Sequence, residues 1–321
     1  MTAQHPGLRR YGTAAIAEAA AEIARGGIVA VPTETVYGLA ADATDSRAVA
    51  RIYAAKGRPS FNPLIVHVPD LAAAERIAIF DDVARALAAN WWPGPLTLVL
   101  PARPDAGIAA LVTAGLDTIA LRVPAHRAMR ALLAATGKPL AAPSANASNS
   151  ISPTRAEHVA ASLGERVPLI VDDGACPAGL ESTIVMQGRI LRPGPISSEQ
   201  LGLPLAEAAG KVTAPGQLAT HYAPAKPLRL DATGAEAGEW LIGFGAVEGD
   251  DTLSASGDLV EAAARLFDAL HRADASKPGR IAVAPVPDAG IGAAINDRLR
   301  RAFAGMTDGI HAMSRQVRGA T

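Results

Sequence analysis

The sequence predicts an α/β protein in two parts, a large mixed sheet with flanking helices and then a smaller α/β domain. Three observations carry this. The chain has 321 residues, a length that suggests about two domains. Short apolar runs alternate with amphipathic segments through residues 1–209, the pattern of helices layered on a sheet. A Pro-bearing stretch of different character follows at 210–236, and a second strand–helix alternation occupies 237–321.

Residues 13–25 are Ala-rich, with Ile16, Ala20 and Ile23 on one helical face and Gly26-Gly27 as the stop. GIVAVP, 27–32, is a short buried strand, and TETVYGL passes from strand to loop. A helix over 46–55 carries Val49, Ile52 and Tyr53 on its apolar side. A strand at 64–68, a helix over 71–90, strands at 96–100 and 118–123, a helix over 127–136 and a strand at 139–142 follow. Ser152-Pro153 reads as a helix start, Ser as the cap and Pro at the first helical position, with the helix running to Leu163. Strands at 168–172, 182–186 and 189–192 and a helix over 198–209 complete the first part. Beyond the linker, strands at 240–245 and 280–287 alternate with helices over 257–272 and 288–304, and 315–321 fray.

Composition excludes several classes. Hydrophobic residues make up 49% and aromatics 4%, so the core is mostly Ala, Val, Leu and Ile. A net charge of −1 argues against a globally basic nucleic-acid binder. The one cysteine, Cys176, permits no disulfide within the chain, fits a reducing compartment and has no activating neighbour. The histidines lack metal-ligand spacing, so no metal-ligating residues are expected. The N-terminus lacks the order of a signal peptide and no apolar run approaches ~18 residues, so the expectation is a soluble, cytoplasmic protein with no membrane partner. There is no Walker loop, Gly-x-Ser-x-Gly elbow or HExxH. GFGAVEG, 243–249, misses the dinucleotide fingerprint by one residue and reads as a glycine-rich turn.

Polar clusters stand at the strand ends. In PTETVYGL, 32–39, Thr33, Glu34, Thr35 and Tyr37 crowd the exit of a buried strand, either as a turn that satisfies its own backbone or as part of a site. In KGRPSFNPLIVHV, 56–68, Lys56 and Arg58 stand at a helix C-terminus, where cations are favoured in any case. Pro59 and Pro63 also stiffen the loop enough to hold both cations for a polyphosphate. His67, in phase with Ile65, is either a satisfied core histidine or a hydrogen-bonding group facing a cavity. Arg122 is embedded in the apolar strand TIALRV and needs an anion, from a protein carboxylate or from a ligand carboxylate. PLAAPSANASNSISPT, 139–154, empties a short strand into Ser144, Asn146, Ser148, Asn149, Ser150 and Ser152, neutral donors where α/β folds place ligands. GLESTIV and RILRPGP add Ser182, Thr183 and Arg192. Cations for phosphate, an arginine seeking a carboxylate and many hydroxyls, with no evident nucleophile, suit a reaction driven by positioning and charge neutralisation, such as nucleotidyl transfer.

Taken in order, PTETVYGL, KGRPSFNPLIVHV, WPGPLTLVL, LRVPAH, APSANASNSISPT, GLESTIV and LRPG resemble the YrdC-like threonylcarbamoyl-AMP synthase family. The C-terminal block, joined through PGQLATHYAP, resembles its long two-domain version. The motifs cover about residues 12–230, and 231–321 agree by position and length. The fold implied is a large twisted mixed sheet with flanking helices and a concave catalytic cavity, plus a smaller C-terminal α/β, Rossmann-like domain. The activity implied joins L-threonine, bicarbonate and ATP into L-threonylcarbamoyl-AMP and releases pyrophosphate. A downstream threonylcarbamoyl-transfer complex then modifies the adenosine beside the anticodon of tRNA. Carried over by motif, the resemblance implies an L-threonine site of Thr35, His67, Arg122, Ala142 (through its backbone) and Ser182, with Arg122 on the carboxylate and His67 and Ser182 on the hydroxyl. It implies an ATP site of Lys56, Arg58, Asn62, Thr118, Ser144, Ser152, Arg192 and Tyr222. Lys56 and Arg58 are then the catalytic cations and Tyr222 of HYAP is a lid. Mg²⁺ is implied, held mainly by ATP phosphates and water. Gln217 to Thr220 depart from the family pattern and carry no assigned contact.

Two other classes fit parts of the pattern. A non-catalytic module binding double-stranded RNA or tRNA would use the concave surface, but the sequence offers neither stacking aromatics nor net positive charge. A hydrogenase-maturation relative would carry acylphosphatase-like and zinc-finger regions, for which the chain has neither the cysteines nor the room.

Overall fold

The computed structural model describes residues 5–206 and 221–318. The chain divides into two units, one of residues 1–148 and 152–217 and the other of residues 149–151 and 218–321. The first unit runs β1 (Leu8–Arg10), α1 (Thr13–Ala24), β2 (Val29–Pro32), β3 (Tyr37–Asp42), α2 (Ser46–Lys56), β4 (Ile65–His67), α3 (Leu71–Glu75), α4 (Asp82–Trp91), β5 (Leu96–Pro101), α5 (Ala110–Thr113), β6 (Thr118–Arg122), α6 (Arg127–Thr136), β7 (Leu140–Ala141), α7 (Ala156–Leu163), β8 (Leu169–Asp172), β9 (Thr183–Met186), β10 (Arg189–Arg192) and α8 (Ser198–Leu201). Its strands form one sheet in the order β1-β8-β2-β3-β7-β4-β6-β5-β9-β10. The sheet is mixed: β2–β8 and β4–β6 are parallel, whereas β2–β3, β3–β7 and β5–β6 are antiparallel.

Two-sided burial explains why these strands read as unbroken apolar runs. In GIVAVP alternate residues part company. Ala30 packs with Leu39, Val49 and Ile52 on one face, and Val29 and Val31 pack with Ile16, Met129 and Leu132 on the other. α2 thus covers one face, and α1 with α6 the other. α2 starts at Asp45, whose side chain accepts from the Arg47 amide, and stops at Gly57 in the left-handed region (φ 59°). That stop makes Lys56 the last helical residue.

Four elements differ from the sequence expectation. Residues 37–42 continue as strand β3, because the turn at 33–36 folds the chain back antiparallel onto β2. The helix expected over 71–90 is two helices. Asp70 caps α3 and Asp81 caps α4, each accepting a backbone N–H at 2.7 Å, and such caps compete with a continuous helix. The helix expected from Ser152 begins at Ala156. The Ser152 hydroxyl donates to Glu181 and the Pro153 carbonyl accepts from the Tyr37 amide, so neither group starts a helix. The helix expected over 198–209 stops at Leu201, where Gly202 turns left-handed (φ 64°). Residues 204–206 then hydrogen-bond along β10. Residues 207–220, with the end of that expected helix and the first part of the expected linker, lie outside the described residues.

The second unit holds β11 (Leu228–Arg229), β12 (Glu239–Gly243), β13 (Asp251–Thr252) and β14 (Arg280–Val283) in the order β11-β14-β12-β13, with every neighbouring pair parallel. α9 (Leu259–Ala275) buries Ala262, Leu266, Phe267 and Leu270 on one stripe, and α10 (Gly292–Arg318) follows β14. This is the smaller α/β sheet that the alternation predicts, with β11 lying inside the stretch expected to be linker. No described helix is long and apolar enough to cross a membrane.

Close backbone approach explains the glycine of RILRPGP. A Cβ on Gly194 would lie 2.4 Å from the Thr183 amide nitrogen and 2.7 Å from the Glu181 carbonyl oxygen. Because both are backbone atoms, neither gives way cheaply. Gly194→Ala should destabilise the protein by about 1–3 kcal/mol, seen as a lower midpoint in denaturant unfolding.

Candidate active site

Period-two alternation sets several of the candidate residues on one face of the larger sheet. In the parallel pair β4–β6, Ile65 faces Ala120 and His67 faces Arg122. Ile65, Val99, Ala120 and Ile184 form a small apolar cluster. His67, Thr97, Arg122 and Ser182 each stand two residues from one of these four, and so share their side of the sheet. Thr118 opens β6, the strand that Arg122 ends, so the two lie about 13 Å apart along it. The apolar cluster is therefore a floor with polar groups at both ends.

Arg122 organises one end. It is 3% exposed. Its Nε donates to the Gly94 carbonyl at 3.2 Å, one terminal nitrogen donates to Thr35 Oγ1 at 2.9 Å, and the other donates to Glu34 Oε1 at 2.6 Å. Of the five guanidinium N–H groups, one on each terminal nitrogen remains uncommitted among the described residues. Glu34 Oε2 accepts from the Ala125 and His126 amides at 3.0 and 3.2 Å, at the start of α6. Burial pushes the Glu34 carboxyl up, but the Arg122 charge and these hydrogen bonds outweigh it and hold the pKa below the ordinary value. Thr35 Oγ1 also lies 2.8 Å from Thr33 Oγ1. The protein carboxylate that the sequence left open for Arg122 is thus present, with donors still to spare.

His67 is 2% exposed, and neither ring nitrogen has a partner in good hydrogen-bond geometry among the described residues, although backbone groups of Leu140 and Ile65 lie near enough to favour its charged form slightly. Burial, and then the neighbouring Arg122 charge, lower its pKa from 6.5 to about 3. It is a neutral imidazole offering one donor and one acceptor.

Ser182 joins two groups that the sequence reading kept apart. Its hydroxyl lies 2.7 Å from Thr97 Oγ1, and Arg192 donates to its carbonyl at 2.9 and 3.1 Å and to its hydroxyl at 3.1 Å. Ser152 is fully buried and donates to Glu181, the residue before Ser182. Ser152 and Arg192, expected at ATP, therefore sit beside a residue expected at threonine.

The other end holds the remaining ATP candidates. Lys56 is 3% exposed and turned inward, its Nζ donating to the carbonyls of Ser144 and Asn146, both at 2.5 Å. Burial, with Arg58 and Arg166 adding to it, lowers its pKa well below the usual lysine value. Arg58 is half-buried, donating to the Asn62 carbonyl at 3.1 Å and the Pro63 carbonyl at 2.9 Å. Asn62 is buried and its side-chain oxygen has no partner among the described residues. The Ala142 amide donates to the Ile65 carbonyl at 3.0 Å, and Ser144 bridges to Gly38. Tyr222 belongs to the second unit, fully buried, its ring 5.5 Å from Phe267 and 5.3 Å from the Arg298 guanidinium carbon. Cys176 is buried and its thiol pKa is pushed up, chiefly by that burial, which disfavours the thiolate form a nucleophile needs.

Comparison with known proteins places this geometry. A family model for Sua5, YciO and YrdC, described as telomere recombination, matches residues 21–194. A second, described as the threonylcarbamoyl-AMP synthase C-terminal domain, matches residues 190–304. A threonylcarbamoyl-AMP synthase from Bacillus subtilis is 40% identical over 90% of this chain and 93% of its own length. The chain belongs to the threonylcarbamoyl-AMP synthase family. A member from Pyrococcus abyssi is 37% identical over 88% of this chain and 92% of its own length. The crystal structure of P. abyssi Sua5 complexed with L-threonine superposes with a TM-score of 0.85 at 34% identity, covering 93% of this chain and 97% of that one.

Within this synthase fold, three residues with evident work had no role in the sequence reading. Glu34 was visible in PTETVYGL, but its partner is 88 residues away. Thr97 looked like an interior strand residue, and Glu181 stood unremarked in GLESTIV. The one available signal was a charged or hydroxyl residue inside an apolar run, which needs a buried partner.

Neutral His67 has a consequence for pH dependence. Its folded pKa, about 3, lies below the ordinary 6.5, so its contribution to stability is complete above about pH 6.5 and is lost as the pH falls towards 3. Between pH 6.5 and about 4, the wild type should lose more stability than His67→Leu, by on the order of 2 kcal/mol, in denaturant unfolding followed across that range.

Proposed function

We propose that this chain makes L-threonylcarbamoyl-AMP from L-threonine, bicarbonate and ATP, releasing pyrophosphate and water, for threonylcarbamoyl-adenosine in tRNA. One observation supports this reading most. Among the described residues, a buried guanidinium with two uncommitted N–H groups stands beside a buried histidine whose ring nitrogens have no partner, on the face of the sheet that also carries Thr118 and Ser182. The two N–H groups suit a carboxylate held in two-pronged fashion. A neutral imidazole suits a hydroxyl, which both donates and accepts. Thr35, Ala142 and Ser182 complete the threonine end.

The reaction then runs in two steps. The neutral threonine amine bonds to the carbon of carbon dioxide released from bicarbonate and loses a proton, giving a carbamate. A carbamate oxygen bonds to the α-phosphorus of ATP as the bridging bond to the β-phosphate breaks, and pyrophosphate leaves. Arg58, Asn62, Thr118 and Ser144 would take the nucleotide, with Ser152 and Arg192 where the two substrates meet. Lys56 acts beneath the loop, holding Ser144 in place and lending charge once phosphates arrive. Tyr222 would have to leave its packing on Phe267 to act as a lid.

Mg²⁺ would enter with ATP. The described residues contain no group of three or more His, Cys, Asp or Glu able to hold a metal, and the nucleotide end offers cations and neutral donors. That donor set does not fit a resident metal, so the ion's ligands would be phosphate oxygens and water. The product passes to a partner complex for transfer to tRNA in the cytoplasm. No observation favours the alternative of a non-catalytic RNA-binding module.

Pyrophosphate release from ATP and bicarbonate should depend on L-threonine, and threonine-independent release would sink the reading. L-2-aminobutyrate, which lacks the hydroxyl, should be rejected more strongly than L-serine, which lacks only the methyl group. An unpaired buried histidine costs more than a small cavity. Measured kcat/KM for the three amino acids decides this.

A further inference from the structure

We propose that Glu34 is the positioning residue of the amino-acid end, setting the plane of the Arg122 guanidinium so that one N–H on each terminal nitrogen is left for an α-carboxylate. The proposal rests on the reading of Arg122 above and adds a residue to it. Three donors converge on the two oxygens of Glu34: a terminal nitrogen of Arg122 at 2.6 Å on Oε1, and the Ala125 and His126 amides at 3.0 and 3.2 Å on Oε2. The amides belong to the two residues that lead into α6, His126 being its N-cap, and Ala128, Met129 and Leu132 of that helix are buried in the core. Glu34 therefore ties a rotatable guanidinium to a fixed frame. Gly94 holds Nε at 3.2 Å, so the plane is pinned at two points, while Thr35 takes one N–H of the remaining nitrogen.

Only a carboxylate does this. Both oxygens must accept, and an amide of the same shape would turn a donor either on Arg122 or on the two backbone amides. Charge adds a second effect. Glu34 offsets the buried guanidinium, so a bare anion gains little there, and recognition falls to the paired N–H groups. A two-pronged carboxylate uses both; a monodentate anion does not.

The test compares Glu34→Gln and Arg122→Ala in the full-length enzyme, with KM for L-threonine and KM for ATP read from pyrophosphate release and folding read from thermal unfolding. Glu34→Gln should raise the threonine KM about tenfold or more, with the ATP KM within about twofold of wild type. A threonine KM unmoved by Glu34→Gln while Arg122→Ala raises it overturns the role of Glu34 and spares that of Arg122. A threonine KM unmoved by Arg122→Ala overturns both. Equal rises in the two KM values for Glu34→Gln reduce Glu34 to a structural residue and also overturn the proposal. Should Glu34→Gln fail to fold, Glu34→Asp keeps the charge and both acceptors on a shorter stem. It should shift the threonine KM in the same direction with the ATP KM unchanged, and an unchanged threonine KM counts against the proposal in the same way.

Discussion

A guanidinium buried at the end of an interior strand is the constraint around which the first unit is arranged. Removing such a charge from water costs several kcal/mol unless it is paired and its hydrogen bonds are met. Arg122 meets that demand by drawing together parts of the chain that are distant in sequence. Glu34 and Thr35 come from the turn after β2, Gly94 from the approach to β5, and through Glu34 the two amides that lead into α6. The turn at 33–36, which the sequence left open between a self-satisfied polar turn and part of a site, is buried, with Thr33 at 2% and Thr35 at 1% exposure.

The sheet face beneath this cluster is divided by chemistry. Its middle is Ile65, Val99, Ala120 and Ile184, and its ends are polar. The division follows from strand periodicity, since a side chain two residues along must share the face of its neighbour. The two ends also differ in how charge is arranged, the Arg122 end pairing its cation with Glu34. His67 is held neutral by burial and by the adjacent Arg122, whereas Arg58 and Lys56 lie beyond the other end of β4. A substrate carrying a carboxylate at one end and receiving a phosphate at the other would find matching groups in that order.

Much of the candidate site was legible because its residues break a rule. His67 and Arg122 interrupt apolar strands, Lys56 and Arg58 flank a helix-ending glycine, and Ser and Asn crowd the exit of β7. What was illegible depended on partners. Lys56 reads as a phosphate cation on a loop, yet the last turn of α2 points it inward at two carbonyls. Ser152-Pro153 reads as a helix start, yet Glu181 takes the hydroxyl. Tyr222 reads as a linker residue, yet it is packed within the second unit. Local pattern carries capping preference and charge, but not which distant group will claim a side chain first.

By itself, the sequence determined the α/β class, the strand and helix periods, the family through its ordered motifs, and the residue types available for chemistry. These are local quantities, set by side-chain spacing and backbone preference within a few residues. Only the tertiary structure decided that Glu34 is the anion Arg122 requires, that two Arg122 N–H groups remain uncommitted among the described residues, and that Ser182 joins Arg192 to Thr97. Each of those depends on strand register and on which buried polar groups lie within about 3 Å of one another, distances that the folded chain alone sets.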